Sequence, residues 1–172
     1  MQVIPGVHQV AVRSTNIFLI AEEEITIVDT GFRGSAKRIA RAIDSIGRYV
    51  EEVSLIIITH NHLDHIGGLP GLWGMTSARA AVHRADLSYG EKGLPYSGFI
   101  RLLLKIPGVS FFWPLMYAKP DDIDIQLEGG EVLSPLGGME VIHTPGHTPG
   151  SISLFSPQKK LLIVGDILNS GH

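Results

Sequence analysis

The chain contains no cysteine. That absence excludes a disulfide framework and any thiolate metal site, so a metal held here must be held by histidine, aspartate and glutamate. Positive charge is also scarce. A net charge of -3 and a pI near 6.2 leave no basic face for a phosphate backbone, and nucleic acid is not an expected partner. No apolar run approaches the roughly 20 residues that a membrane-spanning helix needs, so a membrane partner is not expected either. The opening Met1-Gln2-Val3-Ile4-Pro5-Gly6 lacks the basic and apolar regions of a secretory signal, which makes the cytoplasm the expected compartment. Low-complexity tracts, linkers and repeats of roughly 20 to 50 residues are missing too.

With 172 residues, the chain is long enough for one domain that buries roughly 70% of its extended surface. A 44% hydrophobic composition with 20 glycines predicts a globular, loop-rich α/β protein rather than a disordered or fibrous one. Asn16 to Ile20 and Glu24 to Val28 read as a hairpin around Ala21-Glu22-Glu23, and Asp29-Thr30-Gly31 ends its second strand. From Ser35 to Tyr49, Ile39, Ala40, Ile43 and Ile46 recur at helical spacing opposite Lys37, Arg38, Arg41 and Arg48, the pattern of a surface helix. Val53 to Thr59 is a continuous apolar run, as expected of a central strand covered on both faces. Ile66 to Leu69 reads as a helix opening, Ala78 to His83 as a strand, and Arg84 to Tyr89 as a short helix. This alternation predicts a partly parallel sheet with function beyond the carboxyl ends of its strands. The second half predicts an antiparallel sheet stacked on the first, with strands at Ile123 to Leu127, Glu131 to Leu133, Met139 to His143, Ser151 to Phe155 and Lys160 to Val164.

The chemistry concentrates in Thr59-His60-Asn61-His62-Leu63-Asp64-His65, which packs three imidazoles and a carboxylate directly after an apolar strand. These are donors for divalent transition metals. His60 and His62, two apart, point the same way in extended backbone, whereas Asp64 and His65 follow a turn and can serve a second position. Gly90 to Pro120 breaks the rhythm with Leu102-Leu103-Leu104 and Phe111 to Tyr117. It predicts a helical insertion packed on the domain, a lid over the metal pocket or, across 100 to 117, a homodimer surface.

Two later stretches also deliver ligand-type side chains at strand exits: His143-Thr144-Pro145-Gly146-His147-Thr148-Pro149-Gly150-Ser151 and Val164-Gly165-Asp166. With Asp29-Thr30-Gly31 and the histidine cluster, they make the chain resemble the metallo-β-lactamase superfamily from about Asn16 to Asp166. The resemblance implies an αβ/βα four-layer sandwich of two mixed sheets with helices outside. It implies that His60, His62 and His147 hold a first metal, that Asp64 and His65 contribute to a second, and that Asp166 bridges both. Asp29 resembles the family's buried aspartate, which orients the site through hydrogen bonds. His143 is expected to be a strand residue, and His83 and His8 ordinary surface or turn histidines. The family continues past its bridging aspartate to one more histidine ligand and a closing helix, whereas only Ile167 to His172 follow here. His172 is expected to be a chain end rather than that ligand. The expected explanation is a piece of a longer gene product, with an uncovered face that favours dimerisation; the alternative is a naturally short variant.

One or two zinc ions are the expected cofactor, with iron or manganese accepted by the same donors. The expected activity is hydrolysis of a small-molecule ester, thioester, lactone or amide by a metal-bound hydroxide, with Asp64 orienting it and accepting its proton. Two rival readings fit the same residues. One is a mononuclear iron redox enzyme using His60, His147 and Asp166, and the other a scaffold with an impaired site.

Overall fold

The computed structural model describes residues 1–91 and 123–168. The segment 100–117 and His172 lie outside the described residues, as does nearly all of the expected insertion. The first sheet runs in chain order: β1 (Gln2–Ile4), β2 (Val7–Val12), β3 (Thr15–Ala21), β4 (Ile25–Val28), β5 (Val53–Ile57), β6 (Arg79–His83) and β7 (Ile125–Leu127). Its strands are antiparallel from β1 to β4 and parallel from β4 to β7. The second sheet is antiparallel throughout, ordered β11 (Leu161–Ile163), β10 (Ile152–Ser156), β9 (Met139–His143), β8 (Val132–Leu133).

Side-chain periodicity explains the layering. In β4 and beyond β5, alternate residues point to opposite faces: Ile25, Ile27, Ile56 and Ile58 pack on the helical side, and Val28 and Ile57 on the second sheet. Both faces are covered, so β4 and β5 are apolar except for Thr26 and Ser54. β9 buries only one face. Met139 and Val141 enter the inter-sheet core, while Glu140 and Ile142 alternate outward. The described α-helices contribute to the first sheet's outer core and not to the inter-sheet core, and Val132, Ile142 and Leu162 on the second sheet are exposed.

Two predicted boundaries move, each for a local reason. The amphipathic helix α1 (Ala36–Asp44) buries Ala36, Ile39 and Ile43 but stops well before Tyr49. Gly47 adopts φ +74°, the Arg48 amide returns to the Ile43 carbonyl, and the Arg48 side chain leaves to bind the carbonyls of Glu22 and Glu23. The helix expected from Ile66 is two short ones, α2 (Leu63–Ile66) and α3 (Leu69–Trp73). Gly67 and Gly68 interrupt them because the Gly68 amide turns to the Gly31 carbonyl. β1 and β2, which carry weak period-2 patterning, extend the first sheet beyond the predicted hairpin. His83 is a further correction. It is buried in β6 rather than at the surface, where its ring stacks on His143 and bonds the Glu128 carbonyl.

In the parallel part, Val28 pairs with Ile57 and Ile57 with Ala81. The residues that follow these strands therefore emerge at one edge. α4 (Arg84–Glu91) starts at that edge, immediately after β6.

Leu154 is fully buried between the sheets. Leu154→Ala is expected to lower unfolding stability by about 2–5 kcal/mol with an unchanged denaturant slope, measured by urea titration.

Candidate metal centre

The parallel strands deliver the site's groups in sequence. Asp29 follows β4 at φ +62°, a left-handed conformation that aspartate tolerates better than most residues, and it is buried. Its Oδ1 accepts from the Thr59 amide at 2.8 Å, and its Oδ2 accepts from the Thr59 hydroxyl at 2.8 Å and from His65 Nδ1 at 2.8 Å. One carboxylate thus grips both ends of the histidine segment.

This network assigns the tautomers. The Thr59 hydroxyl gives its single proton to Asp29, so at 3.1 Å from His60 Nδ1 it can only accept, and His60 carries its proton on Nδ1. His65 likewise donates through Nδ1. Both rings therefore turn Nε2 inward, and these two buried nitrogens have no hydrogen-bond partner. His65 Nε2 lies 3.3 Å from Asp166 Oδ1 without hydrogen-bond alignment. Buried polar atoms are normally paired, and two orphaned imidazole nitrogens facing a carboxylate fit a divalent cation.

The second sheet supplies the remaining donors. The Ile152 amide bonds the Thr59 carbonyl at 2.9 Å and holds the loop before β10 against the exit of β5. His147, on that loop, places its ring centroid 4.7 Å from His60 and 4.6 Å from His62. After β11, Gly165 at φ +55° passes so close to Thr59 that a Cβ there would sit 2.8 Å from the hydroxyl, which brings Asp166 over the site.

The donor atoms of His60, His62 and His147 lie within 4.8 Å of one another, as do those of His60, His65 and Asp166. The two sets share His60. Asp166 stands between them, with Oδ1 near His65 and Oδ2 3.8 Å from His147 Nε2. Asp64 falls outside both sets. Its Oδ2 is 3.8 Å from His65 Nε2 and accepts from the Thr15 hydroxyl at 3.1 Å. His143 is apart, its Nε2 on the Pro149 carbonyl, as expected of a strand residue. Thr15 and Thr59, which the sequence pattern does not single out as functional, complete the network. Thr59 could have been suspected from its place at the head of the histidine motif, whereas Thr15, 49 residues from Asp64, carries no local signal.

Electrostatics divides the rings. Burial, reinforced by the neighbouring rings of His65, His62 and His147, pushes His60 down to about 2. His62 is lowered by burial and by His147. Burial opposes charge on His65 as well, but Asp29, followed by Asp166 and Asp64, outweighs it and holds His65 up at about 9. A cleft of about 270 Å³ opens beside His65 and Asp166, lined also by Asn16, Phe18, Leu162 and Leu168.

Comparison with known proteins adds the family. The model of the metallo-beta-lactamase superfamily matches residues 10–172. The chain belongs to the metallo-β-lactamase superfamily. It is 31% identical to the uncharacterized protein YobT of Bacillus subtilis, over 88% of this chain and 60% of that protein. It is 25% identical to the hydroxyacylglutathione hydrolase GloC of Haemophilus influenzae, over 87% of this chain and 64% of that protein. Among solved structures, the metallo-beta-lactamase family protein TTHA1429 of Thermus thermophilus superposes with a TM-score of 0.74 at 22% identity, covering 98% of this chain and 62% of that one. The chain thus spans about three fifths of the length of the superfamily members it matches. Among the described residues, no helix is long and apolar enough to cross a membrane.

The pH dependence of the metal-free protein follows from the divided rings. Folded His65 keeps its proton until about pH 9 whereas the unfolded chain releases it near 6.5, so that stabilisation is complete below 6.5 and lost as pH rises to about 9. His60 acts in the opposite sense. The unfolded chain takes up a proton below 6.5 that the folded ring refuses, and stability falls with pH there. Urea unfolding should therefore show greatest stability near pH 6.5. Asp29→Asn should flatten the alkaline decline; an alkaline limb of unchanged slope in that variant would contradict the assigned role of Asp29.

Proposed function

We propose that this protein is a metal-dependent hydrolase of activated carbonyl compounds, with thioesters first among esters, thioesters, lactones and amides. The observation that carries the reading is the pair of donor sets meeting at His60, with two buried imidazole nitrogens aimed into the space between them. The thioester preference draws on GloC, named for hydrolysis of a glutathione thioester. In this reading His60, His62 and His147 hold one cation, His65 with Asp64 contributes to a second, and Asp166 serves both. Zinc is the first choice, with manganese or iron accepted by the same donors.

When bound, a cation of this kind supplies a coordinated water whose pKa falls from 15.7 to about 7 and a Lewis acid for the carbonyl oxygen. The chain's own groups do the rest. Asp64, steadied by the Thr15 hydroxyl and partly open to solvent, orients the attacking water and takes its proton. Asp29 holds His65 and, through Thr59, His60 by their Nδ1 protons so that Nε2 faces the pocket, and the second proton that His65 keeps below about pH 9 is the one a cation would displace. The carboxylates of Asp64 and Asp166 offset positive charge in the pocket, and the cleft beside His65 gives a small acyl group somewhere to lie.

The test is metal analysis of protein purified without chelator, followed by assays on ester, thioester, lactone and amide substrates. Expected are one or two zinc ions per chain and thioester hydrolysis that chelation abolishes, zinc restores and His62→Ala removes. Zinc at 100 times its dissociation constant should stabilise the fold by about 2.7 kcal/mol. One iron per chain with oxygen consumption would replace the hydrolase by a redox enzyme. No metal uptake and no stabilisation would leave a scaffold.

A further inference from the structure

We infer that Asp86 is a positioning residue whose carboxylate clamps together the two loops that carry His60, His62 and His147. The inference rests on the metal-centre reading above. Asp86 lies in the first turn of α4, is fully buried, and belongs to neither donor set. Its Oδ2 accepts from the Asn61 amide at 2.8 Å and from the Thr148 hydroxyl at 2.8 Å, and its Oδ1 accepts from the Gly150 amide at 2.6 Å. The Asn61 side chain returns a bond from Nδ2 to the Asp86 carbonyl at 3.1 Å. Asn61 is the residue between His60 and His62, and Thr148 follows His147. One carboxylate therefore holds the residue between two imidazoles on a loop of one sheet and the residue next to a third imidazole on a loop of the other.

The surroundings are built for this group. Gly150 passes so close that a Cβ would stand 2.6 Å from Asp86 Cγ, so only glycine admits the carboxylate at this distance. Because the Thr148 hydroxyl gives its proton to Asp86, Ser151 Oγ, 2.8 Å away, donates to Thr148 and accepts from the Thr148 amide at 3.0 Å, which stiffens the turn after His147. A charged acceptor satisfied by three donors in the interior forms stronger bonds than a neutral one. Asparagine at this position keeps the shape but replaces one acceptor oxygen with a donor, so it cannot accept all three bonds.

The decisive experiment titrates the full chain, metal-free, with cobalt(II) and follows the visible d–d spectrum alongside thermal melts. Asp86→Asn is expected to melt cooperatively, to bind cobalt about 10- to 100-fold more weakly than wild type, and to give an altered spectrum because His147 is no longer held. Amide hydrogen exchange in the metal-free variant should accelerate at Asn61 and Gly150 while α1 is unchanged. Thr148→Val, which removes one of the three bonds, should shift both readouts in the same direction by less, and it decides the matter if Asp86→Asn does not fold. A folded Asp86→Asn, or failing that Thr148→Val, with wild-type cobalt affinity and spectrum overturns the inference and leaves the metal centre standing. Failure of the wild type itself to bind cobalt overturns both.

Discussion

The site depends on one buried carboxylate accepting hydrogen bonds from the residues around it. Asp29 takes the Thr59 amide, the Thr59 hydroxyl and His65 Nδ1, and this single arrangement decides which nitrogen of two imidazoles faces the pocket. A ring gripped through Nε2 instead would turn its Nδ1 toward the pocket and misplace the donor atom. The cost of burying a charge is met by these bonds, and the benefit appears several ångströms away, at His60 Nε2 and His65 Nε2.

The parallel register makes this arrangement accessible to a short chain. β4, β5 and β6 end side by side, and each is followed within a few residues by a group the site uses: Asp29, Thr59 to His65, and Asp86. The antiparallel second sheet contributes through its loops. The bond from the Ile152 amide to the Thr59 carbonyl and the close passage of Gly165 over Thr59 bring both loops to the same hydroxyl-bearing residue. The fold converges on Thr59, a residue with no metal-binding chemistry of its own.

The residues that the structure brings together as candidate donors were legible in the sequence because metal chemistry restricts residue type and spacing: His60, His62 and His65 advertise themselves by proximity, and His147 and Asp166 by their strand exits. The central strands were legible because two covered faces demand predominantly apolar runs. Apart from Asp29, which the resemblance names, the supports were not legible. Asp86 bonds two backbone amides and one hydroxyl, partners that any sequence offers, and its 25-residue separation from Asn61 follows no period. The early end of α1 was hidden for a similar reason, since it depends on Gly47 and on the carbonyls Arg48 reaches across the fold. His83 looked like a surface residue because burial of a histidine is decided by partners such as the Glu128 carbonyl, which the local pattern does not contain.

The placement of His60 and His147 on loops of different sheets has a topological consequence for a chain without cysteine. A cation gripping both would close a ring of 88 residues, from His60 through His147, the part a disulfide plays in a secreted domain. In the chain-entropy description, tethering a span of that size removes disorder from the denatured ensemble worth about 4–5 kcal/mol at room temperature. Coordination here would thus act as a reversible staple, set by metal supply rather than by redox poise.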